Sequence, residues 1–186
     1  MALAKPLRRT CRQFPDATYS GSGRWIYVLH PQFAIEPQHY VQAFLLLQKD
    51  LLDLFAFIEP ADENLKTYSH RVQQLLMRTC VEIEANCAAI LTENGYRPEG
   101  GGHLDMRDYR RIERSHRLSQ YRIRIPLWRG NNRIVRPFAA WEERDAGLDW
   151  YQAYNKSKHD RHECFERANF DEIGRASCRE RVFKDV

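Results

Sequence analysis

The 186 residues are enough for one well-buried domain and too few for two ordinary domains with a linker. Hydrophobic residues make up 43% and charged residues 29%, at a mean hydropathy of −0.66, which excludes a membrane protein and is too apolar and aromatic for a disordered chain. The net charge of +4, from 29 basic against 25 acidic residues, permits contact with nucleic acid without demanding it.

Residues 1–34 form a lead-in with Pro6, Pro15 and the Gly21-Ser22-Gly23 break and little periodicity. Within it, Trp25 to Leu29 is a short β-type run ended by Pro31, an edge strand or an extended segment lying on the core. The start, MALAKPLRRTCRQF, is basic but has no apolar segment or cleavage site, so it is no secretory signal. A cytoplasmic protein of bacterial type is expected. The five cysteines (Cys11, Cys80, Cys87, Cys164, Cys178) are odd in number and form no CxxC pair, which argues against a disulfide framework.

Glu36-Pro37 opens a helix, because proline is tolerated in the first turn, and Pro60 stops it. Val41, Phe44, Leu45, Leu51, Leu52, Phe55 and Ile58 cover most of its circumference, which predicts a central helix; the interrupting Gln42, Gln48, Lys49, Asp50 and Asp53 make it too polar to span a membrane. A second helix is predicted from about Asn64 to Glu93, with Tyr68, Val72, Leu76, Cys80, Ile83, Cys87, Ile90 and Leu91 at three- and four-residue intervals and Asn94-Gly95 as terminator. Cys80 and Cys87 read as buried thiols of this helix. Two long helices joined by a short turn make an antiparallel hairpin to which others add. Arg97 to His103 is a linker by composition, since Gly100-Gly101-Gly102 lacks the following Lys-Ser/Thr of a phosphate loop.

Asp105 to Gln120 is basic and helical in pattern, with Tyr109, Ile112, His116 and Leu118 as a thin apolar stripe. From Tyr121 the period changes: Tyr121, Ile123 and Ile125 alternate with Arg122 and Arg124, and a turn at Arg129 to Asn132 precedes Ile134, Val135 and Phe138. A β-hairpin near 121–138 is predicted. A last helix begins at Leu148-Asp149, with Asp149 as cap or first-turn acid. The predicted fold is mainly α: an antiparallel helical bundle over residues 35–170 with a small inserted β-hairpin.

Residues 171–186 break the pattern. Glu172 to Val182, EIGRASCRERV, does not complete the amphipathic helix before it and reads like the in-frame translation of a widely used DNA sequencing adapter. On that reading 171–186 is an artefactual tail and the natural protein departs from this sequence at about Phe170. The tail's four basic residues balance its four acidic ones, so trimming it leaves +4.

The most unusual cluster is Trp150 to His162. On one helix, Tyr151, Asn155, His159 and then His162 or Glu163 share a polar stripe, flanked by Trp150 and Tyr154 with Lys158 and Arg161. Such a stripe faces water, a partner or a buried network, and in the last case His159 is a satisfied core histidine. Metal readings are thin. Glu113-x-x-His116 lacks the second Glu-x-x-His of a di-iron bundle although Glu82 and Glu84 are present, and His159-x-x-His162 with Glu163 holds at most one ion. No metal or cofactor is predicted. Arg110, Arg114, Arg117, Arg122 and Arg124, interleaved with Tyr109, Tyr121 and Trp128, suit a phosphate backbone and unstacked bases; a solvated face of paired charges is the alternative.

The segment WYQAYNKSKHDR, together with LMRTCVEIEANCAAIL and SHRLSQYRIRIPLWRG, resembles an uncharacterised family of bacterial proteins related to the HEPN helical domains, over about Tyr68 to Phe170. The resemblance implies a four- or five-helix bundle, often dimeric. It also implies either metal-independent RNA cleavage through an Arg-polar-x-x-x-His motif, in a defence or stress setting, or an inactive binding or dimerisation module. Carried onto this chain, His159 is the motif histidine and Asn155 the polar residue four before it, with Tyr154 where the arginine belongs. Arg111-x4-His116 fits a looser spacing, with Ile112 in the polar slot. The arginine would stabilise phosphorane charge and the histidine would move the proton, so Lys156, Lys158 and Arg161 are the candidate phosphate-binding groups. RNA and a second copy are the expected partners, and a membrane is not.

Overall fold

The computed structural model describes residues 37–132, 134–143 and 145–177, so the lead-in with its Trp25 to Leu29 run lies outside the described residues, as do Cys11 and Cys178. Helix α1 (Pro37–Phe55) packs on α2 (His70–Glu93), the helix around which the core is built. The second helix starts later than its apolar pattern suggested. The Ser69 side chain accepts from Val72 N at 3.2 Å and caps it, Asp62–Asn64 forms a separate 3-10 turn, and Tyr68 is extended in a bridge to Asn169. At the other end the chain leaves through Gly95, whose φ of 71° is the left-handed geometry glycine favours.

Val72, Leu76, Cys80, Ile83, Cys87, Ile90 and Leu91 of α2 are all buried, and Cys80 and Cys87 are not in a disulfide. α1, predicted as central, is not. Leu47 and Leu54 are buried, but Leu45 and Leu52 are half exposed, because the described neighbours cover one side of the helix. No helix among the described residues is long and apolar enough to cross a membrane.

Residues 105–120 wind as short helical pieces: α3 (Met106–Tyr109), a 3-10 turn (Arg110–Ile112), α4 (Glu113–His116) and a second 3-10 turn (Leu118–Gln120). Arg117 breaks the run at φ 49°. The Glu113 carboxylate accepts from Ser119 N at 3.0 Å and Ser119 Oγ at 2.6 Å, closing that turn and employing Glu113 structurally. Tyr109, Ile112, His116 and Leu118 are buried as their stripe predicted.

The predicted hairpin is present as β1 (Ile123–Arg124) antiparallel to β2 (Ile134–Val135), with Ile123 opposite Val135 and Arg124 opposite Ile134. Its turn is held from a distance. Asp62 accepts from Trp128 Nε1 at 2.7 Å, Asn131 N at 2.7 Å and Asn132 N at 3.2 Å, and Arg129 N donates to Pro60 O at 2.7 Å. Gly130 is required here twice over: its φ is 111°, and a Cβ there would lie 2.5 Å from the Asp62 carboxylate.

The Trp128 indole N–H, then the Asn131 backbone N–H, hold the Asp62 carboxyl below its ordinary value of 3.8. A depressed folded value adds stability that is complete above 3.8 and lost as pH falls through the lower folded value. Asp62→Asn should therefore flatten the fall of Tm with acid in the window between 3.8 and the lower folded value, read by circular dichroism; an unchanged slope would show that the latch does not couple to folding.

The last predicted helix divides. α5 (Asp149–His159), with Asp149 as first-turn acid, ends where Asp160 takes φ −136° and ψ 71°, and α6 (Arg161–Cys164) begins anew with the Asp160 carboxylate accepting from Glu163 N at 3.2 Å. After a 3-10 turn, α7 (Phe170–Ser177) returns to the core. Its first amides donate to Thr67 O at 2.8 Å and Leu65 O at 3.0 Å. The adapter-like stretch thus does continue a helical pattern as far as Ser177: Ile173, Gly174 and Ala176 are buried. All site residues discussed below precede it.

Candidate nucleic-acid surface

Trp150, Ala153, Tyr154 and Ser157 recur at three- and four-residue spacing on α5 and are its buried face. Gln73 of α2, itself buried, donates from Nε2 to Ser157 O at 3.1 Å, which sets the register of the two helices. Tyr151 and Asn155 lie at the rim, half-buried, and His159 is exposed at the last position of the helix. His159 is therefore no core histidine. The structure keeps Tyr151, Asn155 and His159 on one helical face but separates them from His162 and Glu163, which follow the break at Asp160 and pair with each other at 3.7 Å. Among the described residues no cluster of three metal-ligating side chains forms.

Tyr151 donates to Glu84 Oε1 of α2 at 2.7 Å. Burial, then that carboxylate, push the phenol well above the usual tyrosine range, while a hydrogen bond from the Asn155 side chain pulls the other way. Tyr154, in the arginine position, is 2% exposed, so it carries no charge to a phosphate. Burial and then Glu84 raise its phenol, and Lys158 lowers it. One turn on, Lys158 Nζ lies 5.2 Å from the Tyr154 ring centroid and 3.4 Å from its hydroxyl, bringing an ammonium over the tyrosine. Lys156, Lys158 and Arg161 are exposed, and none forms an ion pair among the described residues.

The arginine-rich stretch splits in two. Arg110 faces inward, donating to Ala146 O and Trp141 O, both at 3.2 Å. Trp128 is 7% exposed, stacks on Phe170 at 5.7 Å and spends its N–H on Asp62, so it offers no platform to a base. Both leave the predicted surface for the same reason: each found partners far along the chain. Arg129 pairs with Glu59 at 3.5 Å, Arg136 with Glu142, and Arg111 lies 4.9 Å from the Tyr96 ring. Arg114, Arg117, Arg122 and Arg124 stay exposed.

Arg110→Ala should then cost about 2 kcal/mol for two part-buried carbonyls left without a charged donor. Arg114→Ala should stay within about 0.5 kcal/mol, as exposed substitutions do. Thermal melts of the pair check this, and equal effects would place Arg110 back on the surface.

The site residue that sequence reasoning missed is Glu84, which entered only as a rejected metal ligand. Its signal was weak: an acid between Cys80 and Cys87 or Ala88, on the edge of the buried face of α2. No protein-family model, curated protein or solved structure matches the chain. What stands from the geometry is a mainly helical fold with one two-stranded antiparallel hairpin.

Proposed function

We propose that this chain is a HEPN-like RNA-binding domain of the bacterial cytoplasm, holding a single-stranded backbone on Lys156, Lys158 and Arg161 beside Asn155 and His159. The observation that carries it is the exposure of these three cations and His159 around the end of α5, none of the cations in an ion pair among the described residues and the adjoining Asp160 serving as the cap of α6. Phosphates meet exposed positive charge there. Exposed Arg122, just before β1, and Arg124 on it add charge.

Cleavage is the stronger form of this reading. His159 would take the 2′-hydroxyl proton as the 2′-oxygen attacks phosphorus and the P–O5′ bond breaks, the 5′-oxygen leaving with a proton from water, with Asn155 orienting and Lys158 supplying the charge that Tyr154 does not. The buried tyrosine in the arginine position weighs toward binding without turnover. A labelled single-stranded RNA, incubated with chelator, separates the cases. Cleavage that survives chelator and disappears in His159→Ala establishes a metal-independent nuclease. Binding alone leaves a binding module, and no binding at low salt removes the reading. The half-exposed Leu45, Leu46 and Leu52 of α1 favour the remaining alternative, an inactive protein-interaction or dimerisation module, which sedimentation with no RNA affinity would support.

A further inference from the structure

Glu84 is a half-buried carboxylate with an unusual set of neighbours. Its Oε1 accepts from the Tyr151 hydroxyl, a neutral group, and among the described residues no basic side chain bonds or pairs with it. Its charge falls on three phenols, Tyr109, Tyr151 and Tyr154. A carboxylate has about four acceptor positions, so most of the acceptor capacity of Glu84 is unspent. Tyr154 is acted on by both this anion and the Lys158 ammonium, which lies 3.4 Å from its hydroxyl, so a cation and an anion bear on one tyrosine at the α2–α5 junction.

We propose that Glu84 reads an unpaired guanine in the strand whose phosphates lie on Lys156, Lys158 and Arg161. This rests on the RNA-binding reading above. A carboxylate repels phosphate, so a strand drawn to the α5 cations turns a base, not its backbone, toward Glu84. Single-stranded bases are recognised along their Watson–Crick edges and against aromatic rings, and Tyr151 stands half-buried beside the carboxylate. Guanine alone presents two adjacent donors, N1–H and the N2 amino group, spaced for the two oxygens of one carboxylate. Adenine and cytosine each set one amino group beside an acceptor nitrogen that would face the anion, and uracil sets one N–H between two carbonyls.

The test uses the full chain and fluorescent oligouridines carrying one central guanosine, inosine, adenosine or cytidine, with Kd from anisotropy. Guanosine should bind about tenfold more tightly than adenosine or cytidine, as a pair of charge-assisted hydrogen bonds implies. Inosine, which lacks only the N2 amino group, should lose most of that preference, and Glu84→Gln should level the series. The inosine comparison changes the ligand alone, so guanosine binding no tighter than inosine overturns the proposal even where Glu84→Gln fails to fold. Salt-dependent binding of all four strands with no base preference overturns the role of Glu84 and leaves RNA binding standing, as does a guanosine preference that survives in Glu84→Gln. Binding to none of them removes both.

Discussion

Trp128→Ala should cost the fold about 3–5 kcal/mol, the range for truncating a buried tryptophan. The ring is 7% exposed and stacks on Phe170 at 5.7 Å and 20°, so its removal opens a void between the hairpin and the start of α7. The indole N–H is also the first of three donors to Asp62, which leaves that carboxylate holding the turn by Asn131 and Asn132 alone. Trp128→Phe separates the contributions. It keeps an aromatic ring against Phe170 and removes only the donor, and a lost hydrogen bond to a charged acceptor costs about 1.5–3 kcal/mol. Urea unfolding of the three proteins checks the order wild type, Trp128→Phe, Trp128→Ala at constant m. A Trp128→Ala loss below about 1 kcal/mol, within the range of ordinary surface changes, would mean that this aromatic contact does not hold the hairpin on the bundle.

Trp128 also shows where local pattern stops being informative. It is followed by Arg129 and turn residues, which read as solvent-facing, while its partners, the Asp62 carboxylate 66 positions away and the Phe170 ring, lie far along the chain. Arg110 misled in the same way, through carbonyls 31 and 36 positions away. What was legible depended on contacts within one or two turns of chain. The apolar spacing of Val72 to Leu91 located the body of α2, and the alternation around Ile123 located the hairpin, because each repeat length reports one local geometry. Helix ends were harder. Ser69 and Asp160 both act as caps without a proline or glycine to announce them, so the apolar spacing alone starts α2 too early and carries α5 on into α6. The Tyr151, Asn155 and His159 stripe was readable for the reason the body of α2 was, and Glu84 was not, because its role exists only once α2 lies against α5.

Reversing the cations around the end of α5, Lys156→Glu and Lys158→Glu on α5 with Arg161→Glu at the start of α6, should lower affinity for single-stranded RNA by about 10²-fold or more at 50 mM salt. Unit charges 4 Å apart in water interact by about 1 kcal/mol, and each reversal replaces an attraction with a repulsion, so the effect survives substantial screening. Each lost phosphate contact should also lower the slope of log affinity against log salt by about 0.7, so three contacts remove about 2 from it. The slope is the more telling readout, because a misfolded protein loses affinity without a defined change in ion release. All three side chains are exposed, and only Lys158 has a described side-chain partner, the neutral Tyr154, so the melting temperature should hold. Arg122→Glu with Arg124→Glu, also exposed, at the start of β1, is the comparison. An equal loss per charge from both sets would assign binding to the overall positive charge, whereas a loss concentrated in the α5 set assigns it to the surface that carries Asn155 and His159.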